Sequence, residues 1–299
     1  MQNHTFQSTD DCPLIEDGAV LTRVNREDYV FTEGPANDRA GNIFFVDYKS
    51  NQIVRYSTVA DQCEIWAHNT RGSNGACFLQ DGRLISCRGE ACDVVIWAQD
   101  GTVAQVLASH FYGRPFNGPN DLVVSRSGWI FFTDPNFDGR NHQPEAVYSI
   151  SPTGELARIE AEISRPNGII LTPDEKTLII NGTTQRQIIA LDLHENGSVR
   201  NRRVFAEVRD PNRQAYPNYP EKWFGCDGMA VDRAGDLFVT CGAGVEVFNA
   251  GGKSIGVILT PEKPTNACFG GSDNCTLFIT AQKSLYSVRC KVPGIIFQQ

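Results

Sequence analysis

Hydrophobic and polar positions along this chain repeat one phrase six times. Each copy centres on a turn tetrad rich in Gly, Asp, Asn and Ser: DRAG (38–41), LQDG (79–82), SRSG (125–128), TPDE (172–175), DRAG (232–235) and GSDN (271–274). Such residues suit a tight hairpin turn. An apolar run follows each tetrad: NIFFVDY, RLISCRG, WIFFTDP, KTLIING, DLFVTCG and CTLFITA. A further short β-run comes next: IVRYS, VVIWA, VYSI, IIALDL, VEVF and LYSV. The tetrads end at positions 41, 82, 128, 175, 235 and 274. Strand-turn-strand units repeating at about 40–50 residues predict an all-β fold, a six-bladed β-propeller with four-stranded blades.

The ends of the chain fit that plan. Residues 1–17 are polar, whereas 19–25 (AVLTRVN) alternates like a strand. The sixth copy runs out soon after Val288, before an outer strand of its own. The expectation is that 19–25 completes the last blade, so that residues 1–299 form one propeller domain. The tail 293–297 (PGIIF) could compete for that place.

Eight residues before the last position of each tetrad stand Glu33, Asn74, Asn120, Asn167, Asp227 and Asn266. All six are carboxylates or carboxamides. In a propeller, equivalent positions of the innermost strands converge on the axis. The register therefore predicts a ring of oxygen donors at one mouth of a central channel. An Asx turn would explain any single one of them equally well. The full set points instead to a shared cation. Its all-oxygen character favours Ca²⁺, with Mg²⁺, Zn²⁺ or Mn²⁺ as alternatives.

Strand direction then sorts the loops. Three long connections fall on the same face as the ring: 109–118, 135–145 and 201–226. The last carries Tyr216, Tyr219, Trp223 and Phe224. Aromatic loops above a polar ring read as the walls of a pocket.

Composition narrows the partners. The 299 residues carry 35 acidic and 27 basic side chains, a net charge of −8. This argues against nucleic acid or an anionic membrane as partner. No apolar run reaches the ~18–20 residues of a spanning helix. No signal peptide is visible in the first 18 residues. The expectation is a cytoplasmic protein, or a periplasmic or secreted one if a leader has been removed, as a monomer or homodimer. The 10 cysteines form no CxxC pair and no zinc spacing. Cys87 and Cys92 flank a hairpin and could pair, although sequence carries no geometry. Sequons at Asn181, Asn196 and Asn274 are too short a pattern to weigh. GxSxG and HExxH are absent, and none of the five histidines lies in the ring register.

The motifs EGP (33–35), PND (119–121), FTDP (132–135), RPNG (165–168), DGMAVDRAGDLFV (227–239) and NACFGG (266–271) resemble the SMP-30/gluconolactonase/luciferin-regenerating family from about Gly18 to Val288. The resemblance implies a six-bladed propeller with a divalent cation in its channel and an activity on lactones or other esters. It makes Glu33, Asn167 and Asp227 metal ligands, and Asn120 a fourth ligand or a substrate contact. Asp227 becomes the candidate general base or nucleophile. Asn74 and Asn266 share the register and are placed toward substrate. Animal members carry an Arg two residues before the Asn of PND, where this chain has Gly118. Arg114 could substitute for it. The activity expected is metal-assisted opening of a sugar lactone such as glucono-1,5-lactone. Two rivals are an organophosphate or aryl-ester hydrolase of the same fold, and a non-enzymatic propeller with a structural Ca²⁺.

Overall fold

The computed structural model describes residues 12–218, 220 and 225–295. Each tetrad makes the turn expected of it. The fourth residue's N–H donates to the first residue's carbonyl: Gly41 to Asp38 at 3.0 Å, Gly82 to Leu79 at 2.9 Å, Glu175 to Thr172 at 2.8 Å. In all six copies that fourth residue is left-handed, at φ 82°, 84°, 87°, 55°, 87° and 57°. Four of the six are glycine, which adopts this conformation without steric cost. Glu175 and Asn274 adopt it as well. A three-residue hairpin loop of this kind fixes strand register.

Among the described residues these hairpins build six antiparallel four-stranded sheets. The first blade is Thr32–Asn37, Ile43–Asp47, Gln52–Ser57 and Gln62–His68. The second blade starts at Ser73–Phe78, the third at Leu122–Val124, the fourth at Pro166–Leu171 and the fifth at Met229–Val231. The sixth combines Asn266–Gly270, Thr276–Ala281 and Ser284–Arg289 with Thr22–Arg23, which comes from the other end of the chain.

That closure is short in strand pairing. Thr22 faces Ser287 and Arg23 faces Tyr286. Asn25 extends it: its Nδ2 donates to the Lys283 carbonyl at 3.1 Å and its Oδ1 accepts from Leu285 N at 2.8 Å. The C-terminal tail takes a different path. Gly294 N donates to the Asn274 carbonyl, and Ile295 N to the Val231 carbonyl. The tail therefore crosses the tetrad-turn face between the fifth and sixth blades.

The second strands are continuous apolar runs because neighbouring blades cover both of their faces. Ile43–Asp47, Leu84–Arg88, Ile130–Asp134 and Leu237–Cys241 are buried throughout. The fourth strands face water on one side, leaving Ile65, Val106 and Val204 exposed. Aromatic side chains fill the wedges between blades: Phe44 packs edge-on against both Trp66 and Phe78. Burial of this kind is worth about 25 cal/mol per Å² of apolar surface.

The inner strands approach each other closely at the ring. A Cβ on Gly34, itself at φ 46°, would lie 1.9 Å from the Asn74 carbonyl oxygen. A Cβ on Gly168 would lie 2.3 Å from the Asp227 carbonyl oxygen. Glycine after the ring residue is thus what lets adjacent blades bring those residues together.

Candidate active site

Glu33, Asn74, Asn120, Asn167 and Asp227 all line one cavity of about 400 Å³ on the face opposite the tetrad turns. Main-chain hydrogen bonds between and within blades fix their height. Gly75 N donates to the Asn120 carbonyl at 2.7 Å, and Asn120 N to the Thr133 carbonyl at 2.9 Å. Asn167 Nδ2 donates to Asp227 Oδ1 at 2.8 Å and to Thr183 Oγ1 at 2.8 Å.

The sixth member of the register lies elsewhere. Asn266 lines a smaller space of about 100 Å³ in the channel, with Ile295 also in its lining. Its Oδ1 accepts from Ala267 N at 2.8 Å. Arg114 belongs to a small hairpin of His110–Phe111 and Arg114–Pro115; it is exposed and lies outside the cavity lining. His110 and His142 lie outside it too.

All three long connections reach the cavity. The first gives Asn117 and Gly118, the second Pro135, Phe137 and Asp138, and the third Pro220. Tyr216 is buried instead, with its hydroxyl 3.3 Å from Thr260 Oγ1. Tyr219, Trp223 and Phe224 lie outside the described residues. Arg140 pins the second loop: it donates to the Gly89 carbonyl at 2.6 Å and the Asn117 carbonyl at 3.0 Å, and it pairs with Asp138 at 3.0 Å. Phe31, Tyr48 and Lys49 complete the opposite wall. Cys87 and Cys92 carry free thiols, and their Sγ–H groups point at the carbonyls of Asp121 and Gly89.

Three buried residues outside the ring register and outside the cavity lining act on the residues that line it. Asp121, the last residue of PND, is buried in the channel, and its Oδ1 accepts from Leu122 N at 2.9 Å. Lys263 is buried and places its Nζ 2.9 Å from Asp227 Oδ2. Asn181 is buried beside them. Its Nδ2 donates to the Asp227 carbonyl at 2.7 Å and its Oδ1 accepts from Gly168 N at 3.1 Å.

Asn181 has counterparts in other blades. Thr133 Oγ1 donates to the Asn167 carbonyl at 2.8 Å, and Thr240 Oγ1 to the Thr265 carbonyl at 2.7 Å. These donors stand five or six residues after the tetrad. A second polar register is therefore written in the sequence, each donor holding the next blade's entry to the ring.

Electrostatics follow from burial. Desolvation, then the neighbouring charges of Asp227 and Asp121, push Glu33 well above the ordinary carboxylate range, against the pull of Lys263. Desolvation, with Asp227 adding to it, raises Asp121 to about 7. Asp227 is raised by desolvation, and Lys263 and Asn167 oppose the rise. Among the described residues three buried carboxylates, Glu33, Asp121 and Asp227, thus stand with one buried ammonium, Lys263, and buried negative charge exceeds buried positive charge there.

A divalent cation fits that donor set. Among the described residues no three Asp, Glu, His or Cys side chains converge on a single point. The set on offer is Glu33 and Asp227 with the carboxamides of Asn167 and Asn120. Hard oxygen donors with no nitrogen or sulfur suit Ca²⁺ or Mg²⁺.

A six-bladed propeller with carboxylates and carboxamides at one channel mouth defines a broad class of proteins. Within it, residues 31–283 match the family described as the SMP-30/gluconolactonase/LRE-like region, and the chain belongs to that family. It is 30% identical over 308 residues to a gluconolactonase of Zymomonas mobilis, covering 94% of this chain and 84% of the relative. A solved gluconolactonase of Xanthomonas campestris is 27% identical, with a TM-score of 0.82 and coverage of 95% and 93%. A calcium-binding protein, regucalcin, of Agrobacterium tumefaciens has a TM-score of 0.77, covers 92% of this chain and 95% of its own, and at 17% identity shares the fold.

Proposed function

We propose that this chain is a lactonase that opens a sugar lactone, with glucono-1,5-lactone as the substrate of first choice. The carrying observation is that Glu33, Asn120, Asn167 and Asp227 meet on one cavity. The gluconolactonases among its relatives support the same reaction class.

Glu33, Asn167 and Asp227 would hold a divalent cation, Ca²⁺ by the chemistry of the donors, with Asn120 beside it. Such a cation polarises a carbonyl and acidifies a water. The protein's own contribution is position and proton transfer. Asp227 accepts the proton of the attacking water. Water adds to the lactone carbon, the ring C–O bond breaks, the departing ring oxygen takes the proton back from Asp227, and a hydroxy acid forms. Asn120 and Asn74 present carboxamides to the substrate. Phe31, Tyr48 and Phe137 exclude water around the ring, and Lys49 and Asp138 offer polar partners to its hydroxyls. Arg114, being outside the cavity lining, has no part in this scheme.

A pH-stat panel of glucono-1,5-lactone, an aryl acetate and a dialkyl phosphofluoridate tests the reading. The lactone is expected to give the highest kcat/KM. A higher value on the phosphofluoridate or the aryl ester, or no turnover of any, would replace it.

A further inference from the structure

Lys263 lies in the connector between Ser254–Ile258 of the fifth blade and Asn266–Gly270 of the sixth. Its side chain is 1% exposed, which lysine tolerates only when paired. It does not line the cavity, whereas Asp227 does. The ammonium therefore acts on the cavity through Asp227. Both oxygens of that carboxylate are engaged, Oδ2 by Lys263 from behind the cavity wall at 2.9 Å and Oδ1 by Asn167, itself a lining residue, at 2.8 Å. Glu33 and Asp121 are buried within electrostatic reach of the same group of charges.

We propose that Lys263 is a positioning residue with a second duty: it holds Asp227 in place, and it is the resident counter-ion that balances part of the ring's negative charge before a divalent cation binds. The inference rests on the cation-binding reading of the ring. Two consequences separate this role from a plain structural one. An ammonium next to a cation site repels the cation, so removing it tightens cation binding. The same removal leaves the metal-free ring with more uncompensated buried charge and frees Asp227 to turn.

The test compares wild type, Lys263→Met and Lys263→Arg after chelation, at pH 8. Ca²⁺ affinity is measured by calorimetry, thermal unfolding is followed with and without Ca²⁺, and kcat and KM are measured on glucono-1,5-lactone. Lys263→Met is expected to bind Ca²⁺ about tenfold more tightly than wild type. Its metal-free form melts lower, and Ca²⁺ restores the difference. Its kcat falls while KM holds. Lys263→Arg keeps the wild-type Ca²⁺ affinity. Should the Met variant fail to fold without metal, Lys263→Gln removes the charge and keeps a donor, and the same tightening is expected. A charge-removing variant that binds Ca²⁺ no more tightly than wild type overturns the inference. Wild type that binds no Ca²⁺ overturns the reading beneath it, and the inference falls with it.

Discussion

Asn167 Nδ2 stands 2.8 Å from Asp227 Oδ1, joining residues sixty positions apart across the boundary between the fourth and fifth blades. With Lys263 on the other oxygen, the contact holds the carboxylate that the proposed reaction uses as its proton acceptor. Substituting Asp227→Asn keeps the shape and removes the charge. We expect kcat to fall about 10²- to 10⁴-fold. The variant also leaves the buried Lys263 without its carboxylate, at a cost of about 3–5 kcal/mol. The double variant Asp227→Asn/Lys263→Met should recover much of the stability and none of the activity. Denaturant titration and a lactone assay on both proteins check this.

Asn181 offers a test of the interblade hydrogen bonds. It binds the Asp227 carbonyl and the Gly168 N–H from a fully buried position. Asn181→Leu leaves both groups unsatisfied, at about 1–3 kcal/mol each. The expected outcome is a lower urea midpoint and a reduced kcat, because Asp227 and the segment after Asn167 lose their shared tie. Unchanged stability would show that those groups find other partners.

The raised carboxylates set a pH dependence for the metal-free protein. Asp121 moves from 3.8 to about 7, and Glu33 and Asp227 move in the same direction. Between those values the folded form binds more protons than the unfolded form, so stability falls as pH rises. Asp134, raised to about 7 by burial, adds to the same slope. Metal-free protein should therefore have a higher urea midpoint at pH 5.5 than at pH 8. Ca²⁺ should recover the loss at pH 8 that comes from the ring. A metal-free protein that is more stable at pH 8 contradicts the electrostatic account.

The fold was legible because each blade repeats a turn whose chemistry is local. The tetrads and the register of Glu33, Asn74, Asn120, Asn167 and Asp227 follow from spacing alone. Asn266 kept the register and yet sits in the lower channel. Its blade pairs Asn266 directly with Thr280 and runs on without the bulge found after Glu33 and Ser73. Lys263 was not legible, because it stands outside the repeat, and only the packing of the connector between the fifth and sixth blades brings it to Asp227. Arg114 was assigned by its nearness in sequence to PND, but the hairpin that carries it turns it out to solvent. Asn181, Thr133 and Thr240 were readable in principle, as a polar position shortly after each tetrad within an otherwise apolar strand.

The measurement closest to the central claim is the rate of acid release from glucono-1,5-lactone by the purified protein, before EDTA, after EDTA, and after Ca²⁺ is returned. The account predicts hydrolysis above the spontaneous rate, its loss on chelation and its recovery with Ca²⁺. A rate indifferent to EDTA, or never above the spontaneous reaction, would contradict it.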